Sequence, residues 1–209
     1  MHVILLSWEF PPTIIGQISR DCERIANGLA EHECEVDVIT YNERLTRTEK
    51  RKEGFRIHRV ANPVRTNVNI VTWALTLNTE FQRVAADVIR EGEDEEKVVH
   101  ATEWMCAPAA IELKKTLHIP YVFSLYSTES ERSAGGPLSA AITYLERSGS
   151  HEAARTIVSS KSRADVVRKT YGVPEDRIAI IDAATAPIIS LIEQYRISLT
   201  SVKGSSDIP

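Results

Sequence analysis

The sequence predicts a doubly wound α/β domain, a single domain whose mostly parallel, Rossmann-like sheet carries helices on both faces. Three observations lead there. Short β-rich apolar runs alternate with longer stretches of helical period. Those runs are continuously apolar rather than alternating, the pattern of parallel strands buried on both sides. Finally, 209 residues with 43% hydrophobic content are enough for one core and too few for two full-sized domains.

The elements follow in order. Residues 3–7 and 36–40 read as buried strands, and the stripe Ile18, Cys22, Ile25, Ala26 and Leu29 makes the helix of a βαβ unit between them. Glu33 stands just past that helix, where a glycine is common; a side chain there costs roughly 1 kcal/mol. A strand over 55–60 precedes a long helix with the face Ile70, Trp73, Ala74, Leu77, Phe81, Val84, Val88 and Ile89. The acidic run 91–96 reads as a solvated connector. A strand over 98–101, a helix over 104–117 with Pro108 tolerated near its first turn, and a strand over 121–125 come next. A helix over 138–147, a strand over 156–159, a helix over 163–171 stopped by Gly172, and a strand over 178–181 complete the domain, residues 1–181. Pro187 then opens a stripe of Ile188, Ile189, Leu191, Ile192 and Tyr195. Residues 182–200 are therefore expected to link to a helix packing back on the domain, with 201–209 as a flexible tail.

Composition narrows the function classes. A formal net charge of -4 gives no reason to expect nucleic acid or an anionic membrane as partner. The apolar start Val3-Ile4-Leu5-Leu6 is too short for a signal sequence or a membrane span, so a cytoplasmic protein is expected. Cys22, Cys34 and Cys106 are widely spaced, which suggests neither a disulfide framework nor a zinc site.

In doubly wound folds ligands bind at the carboxyl ends of the strands, so the loops after Ser7, Ala101 and Leu125 are expected to share one rim. These loops carry Trp8-Glu9-Phe10-Pro11-Pro12 with Gly16 before a helix, His100-Ala101-Thr102-Glu103-Trp104 with Ala107-Pro108-Ala109-Ala110, and Ser127-Thr128-Glu129 with Arg132-Ser133. Leu145-Glu146, His151-Glu152-Ala153 and Tyr171-Gly172-Val173-Pro174 follow in order. Over roughly residues 1–181 the set resembles the N-terminal domain of glycogen and starch synthases and their GT-B glycosyltransferase relatives. Each motif alone is weak; their order and spacing together are specific.

The resemblance implies retaining transfer of glucose from a nucleotide sugar, ADP-glucose or UDP-glucose, to a glucan acceptor. The N-terminal domain would hold the acceptor, a second domain would hold most of the donor, and no metal or other cofactor is required. Partners implied are a glucan and a separate GT-B C-terminal domain chain or a full-length synthase. The alternative is a non-catalytic domain that binds glucan or regulates a true synthase.

Candidate site residues follow from the match: Tyr126 and Glu103 in the catalytic positions, with Gly16, Gln17, Trp104, Ser127 and Arg132 for substrate. Departures from the family pattern fall among them. Gln17 replaces a second glycine; where that position needs positive φ or close phosphate approach, it brings strain on the order of 1 kcal/mol and blocks the phosphate. Otherwise it begins an ordinary helix on a reshaped loop. Glu103 replaces an aspartate, either keeping sugar-hydroxyl recognition or serving as a helix-start carboxylate favoured by the macrodipole. Trp104 is a sugar-stacking ring or a core side chain. Tyr126 replaces a histidine that contacts the donor sugar, and a phenol with an ordinary pKa near 10 has no cationic form at neutral pH. Arg132 meets a phosphate or an acidic partner, or forms a surface salt bridge. His100, ending a buried strand, is read as satisfying a neighbour. Asp182-Ala-Ala-Thr-Ala-Pro187 stands where the family's link into a second domain would begin.

Overall fold

The first apolar run forms β1 (His2–Ser7), buried along its whole length, and α1 (Gln17–Glu31) leads from it to β2 (Glu35–Tyr41). A hairpin, β3 (Arg47–Lys52) and β4 (Phe55–Val60), precedes α2 (Ile70–Glu91), whose start is capped by Asn69 accepting from the Val71 and Thr72 amides at 3.0 Å. Next come β5 (Lys97–Thr102), a 3₁₀ turn (Trp104–Cys106) and α3 (Ala107–Leu117). Then follow β6 (Tyr121–Leu125), the single turn α4 (Glu129–Arg132), α5 (Ser139–Glu152), β7 (Arg155–Val158), α6 (Lys161–Tyr171), β8 (Ile178–Ile180) and α7 (Ile188–Lys203). This computed structural model describes residues 1–92, 96–132 and 135–203. The acidic connector at 93–95 and the tail at 204–209 lie outside the described residues.

The eight strands form one sheet in the order β3-β4-β2-β1-β5-β6-β7-β8. Every neighbouring pair is parallel except the β3–β4 hairpin. Strand order reverses between β1 and β5, so the crevice of this doubly wound sheet lies beyond Ser7 and Thr102. Helices α2, α3, α5 and α6 cover the face built on Ile4, Leu6, Val99, Ala101 and Phe123. Helices α1 and α7 cover the other, built on Val3, Leu5, Val36, Val98 and Val122.

Helix α7 is tied to that second face by Leu191, Ile192 and Tyr195, all nearly or fully buried. The Tyr195 hydroxyl lies 2.7 Å from His100 Nδ1 on β5. Close approach to α1 depends on Gly28, where a Cβ would stand 2.4 Å from Ile188 Cγ1.

Several element boundaries differ from the sequence reading, each for a local reason. Strand β3 has the sequence RTEKRK and is exposed apart from Glu49, so it carries no apolar signal. The helix expected from Trp104 begins as a 3₁₀ turn because Glu103, just before it, has φ +63°. Helix α7 runs through residues 201–203, expected as tail. The Thr200 and Ser201 hydroxyls fold back onto the Ile197 and Ser198 carbonyls at 2.9 and 2.7 Å, so these polar side chains are accommodated along the last turns of the helix. Glu33, as expected, sits past α1 in the left-handed region at φ +59°, and Gly172 ends α6 at φ +73°. Among the described residues no helix is long and apolar enough to cross a membrane.

Candidate functional site

The loop after β1 is organised by one carboxylate. Glu9 is buried, and its Oε2 accepts from the Ile15 and Gly16 backbone amides at 2.7 and 2.8 Å. These amides lie at the positive end of α1, where an anion would otherwise bind, so the chain's own acid fills the place. Gly16 caps the helix in an extended conformation (φ -147°), and Gln17 is the first helical residue. Neither residue is in the left-handed region, so the strain considered for Gln17 does not arise. Its side chain folds along the helix, Nε2 donating to Asp21 Oδ1 at 2.8 Å.

Between the β5 and β6 ends a second carboxylate plays the matching part. Glu103 has φ +63° and ψ 163°, a conformation costly for any residue with a Cβ, on the order of 1–3 kcal/mol. It is only 4% exposed. Its Oε1 accepts from the Tyr126 and Ser127 amides at 2.7 and 3.0 Å, and its Oε2 lies 3.6 Å from Arg132 Nη1. Burial pushes its pKa up to about 7, against the pull of Arg132 and the two amides.

Arg132 is the hub of this corner. Nη1 donates to the Ser127 hydroxyl and carbonyl at 2.6 and 2.8 Å, and Nη2 donates to Glu146 and, at 3.4 Å, to Glu129. Glu146 is fully buried and also accepts from the Tyr171 hydroxyl and, at 2.9 Å, the Glu129 amide. Glu103, the Tyr126 amide, Ser127 and Arg132 of α4 thus meet in one hydrogen-bonded cluster.

Two of the predicted residues take other places. Trp104 is 6% exposed and packed with Val71, Ala74, Met105 and Ile142, which is a core position. Tyr126 lays its ring against the α1/α7 core, and its hydroxyl is buried with no hydrogen-bond partner among the described residues. Burial drives that phenol well above its ordinary pKa, which keeps it neutral. His100 bridges the Tyr195 hydroxyl and the Ser124 hydroxyl at 2.7 Å each, and burial lowers its pKa to about 3.

Beside Tyr126, at the carboxyl ends of β6, β7 and β8, a cavity of about 350 Å³ opens. Gln17 and Asp21 of α1 form one wall, Tyr126 and Ser124 another, and Arg163, Asp182 and Ala184 close the rest. Asp21 is 4% exposed, and burial, reinforced by Asp182, raises its pKa against the opposing pull of Gln17 and Arg24. Of the predicted residues, Gln17 and Tyr126 line this cavity. Glu9 and Glu146 stand in motifs of the sequence but carry no site role there, and Asp21 stands in none. Each is a lone acid in a helix or loop, and only its burial, which the sequence does not display, marks it.

Comparison with known proteins places this geometry in a family. The chain is 32% identical over 183 residues to an uncharacterized glycosyltransferase of Methanocaldococcus jannaschii, covering 87% of this chain and 45% of that protein. It is 26% identical over 206 residues to a glycogen synthase of Mycobacterium tuberculosis, covering 90% and 50%. The chain thus spans about half the length of these curated relatives. Among solved structures, sucrose-phosphate synthase from Thermosynechococcus elongatus superposes with a TM-score of 0.69 at 14% identity, over 86% of this chain and 47% of that one. A shorter structure of the same enzyme, named by the stretches 27–220 and 406–426, matches at 0.67 and 13% identity, over 94% of this chain and 98% of that one. The catalytic domain of starch synthase IV from Arabidopsis thaliana, bound to ADP and acarbose, matches at 0.56 and 11% identity, over 86% and 51%. These likenesses establish the fold as that of one half of a GT-B glycosyltransferase. The family model for glycosyltransferase family 4 matches residues 18–183, most of the sheet and its helices, and the chain belongs to that family.

Proposed function

We propose that this chain is the acceptor-side half of a glucosyltransferase of the glycogen-synthase kind and does not transfer sugar by itself. Its nucleotide sugar, ADP-glucose or UDP-glucose, is held by a second domain, on another chain or further along this one, and its acceptor is a glucan. The observation that carries this reading is the internal filling of the rim. The amides of Ile15 and Gly16 hold Glu9, and those of Tyr126 and Ser127 hold Glu103. Amide pairs that would steady a donor's negative charge are taken, so the donor contacts must come from elsewhere. Relatives about twice this length fit that division.

The inward Tyr126 hydroxyl favours a second reading, a domain that binds glucan or regulates a full-length synthase without chemistry of its own. One assay separates the two. The purified chain is mixed with ADP-glucose or UDP-glucose and maltooligosaccharide, with and without a nucleotide-sugar-binding half, and released nucleoside diphosphate is measured. The first reading expects release only when the second half is present. Release by the chain alone overturns it, and no release even with the second half favours the regulatory reading.

A further inference from the structure

The cavity between the start of α1 and the carboxyl ends of β6–β8 has a chemistry that the family match does not assign, and its use rests on the acceptor-side reading above. We propose that it is a subsite for one uncharged, polyhydroxylated sugar unit, that Asp21 and Asp182 bind the hydroxyls of that unit, and that the same charges exclude phosphate.

Size and donor–acceptor balance support this. About 350 Å³ falls within the range of small-molecule sites. Asp21 is 96% buried, yet among the described residues its carboxylate accepts a single side-chain hydrogen bond, from Gln17. An ionised carboxylate has room for about four. Sugar hydroxyls are donors of the kind that fills such capacity, and hydrogen bonds to a charged acceptor are the strong ones. Asp182, exposed at the cavity mouth, is near enough to Asp21 to raise its pKa and offers a second acceptor. The Tyr126 ring supplies an apolar wall for the sugar's C–H face.

The surroundings oppose an anion. Glu9 occupies the amides at the start of α1. Arg163, which reaches the cavity, is bonded to Glu131 at 3.0 and 3.1 Å and to the Ser159 hydroxyl at 2.6 Å. Arg24 is held on the Ala183 carbonyl. A phosphate entering would meet two carboxylates and arginines already engaged.

The test is calorimetric titration of the full chain with maltose, glucose, glucose 1-phosphate and inorganic phosphate. Maltose and glucose are expected to bind saturably, and glucose 1-phosphate at least about tenfold more weakly than glucose. Asp21→Asn, which keeps the acceptor for Gln17, and Asp182→Asn should each weaken maltose binding about tenfold without changing the circular dichroism spectrum. If Asp21→Asn does not fold, the exposed Asp182→Asn decides alone. Phosphate or glucose 1-phosphate binding as tightly as glucose overturns the proposal. So does maltose binding that neither variant weakens, and that outcome leaves the acceptor-side reading standing. No saccharide binding at all overturns the subsite, and the transfer assay with the second half then decides the acceptor-side reading.

Discussion

Asp37 on β2 and Glu103 just past β5 are both buried carboxylates, yet the chain shifts their pKa values in opposite directions. Asp37 lies toward the amino end of β2. Burial alone would raise its pKa, but His2 Nε2 at 2.7 Å, His58 Nε2 at 2.6 Å, and Arg56 Nε and Nη2 at 2.7 Å each hold it well below the carboxylate range. A carboxylate only accepts, so both imidazoles must donate there. Glu103, at the carboxyl end, has two amides and an arginine 3.6 Å away, and burial prevails, leaving it near pH 7. Donor number and distance, not burial, separate a fixed structural charge from one that titrates in the working range. His2, Glu35 and Asp37 also bring ligand atoms within 4.8 Å of one another, but the Arg56 guanidinium already holds the position of a cation beside Asp37.

The largest expected effect tests the amino-end cluster. Asp37→Ala should cost about 3–5 kcal/mol in urea denaturation at pH 7, because it leaves Arg56 and two imidazoles crowded without their acceptor. The folded pKa is depressed, so the contribution of Asp37 is fully present above the unfolded value near 4. It fades as pH falls below that. A cost under about 1 kcal/mol would break the contrast drawn above.

Glu103 has the opposite sign. Its folded pKa is raised, so the stabilisation from holding its proton is complete below the unfolded value of 4.5 and is lost as pH rises through about 7. Glu103→Gln, which keeps an acceptor for the Tyr126 and Ser127 amides, should remove up to about 3 kcal/mol of pH-dependent change across that window. Melting curves at pH 5, 6, 7 and 8 would show it as a flatter profile than the parent's. Parallel profiles would mean that Arg132 keeps Glu103 ionised throughout.

How far the sequence discloses this architecture depends on what each segment buries. Strands β1, β2, β5 and β6 show in the sequence because burial on both faces favours apolar runs such as Val3-Ile4-Leu5-Leu6, whereas β4, FRIHRV, shows by its spaced Phe55, Ile57 and Val60. Strand β3 does not, since Arg47–Lys52 forms a charged edge that discourages further strand pairing. The rim was legible because strand order dictates where the loops carrying Glu103, Tyr126 and Ser127, and the turn α4 carrying Arg132, are placed. The inward turn of Tyr126 and the Glu9 contact with Ile15 and Gly16 were not, because each depends on tertiary placement that leaves no periodic trace.

A smaller effect comes from the residue between the rim and the core. Tyr126→Phe removes a buried hydroxyl that has no partner among the described residues, and should stabilise the fold by about 1–2 kcal/mol. Thermal denaturation would detect it, and a loss of stability would mean that the hydroxyl is satisfied after all.

The smallest effect compares two glutamates that both have positive φ. Glu33 at φ +59° is exposed and its side chain has no hydrogen bond among the described residues, whereas Glu103 at φ +63° spends its side chain on two amides and an arginine. Replacing each by glycine relieves the strain of carrying a Cβ at positive φ. Glu33→Gly should gain about 1 kcal/mol, somewhat reduced by the greater freedom of glycine in the unfolded chain. Glu103→Gly should lose stability instead, because two buried amides and Arg132 would be left without their acceptor. Paired urea titrations give both signs directly. Gains at both positions would show that the Glu103 carboxylate does not hold the β6–α4 loop, and the strain at that residue would then need another account.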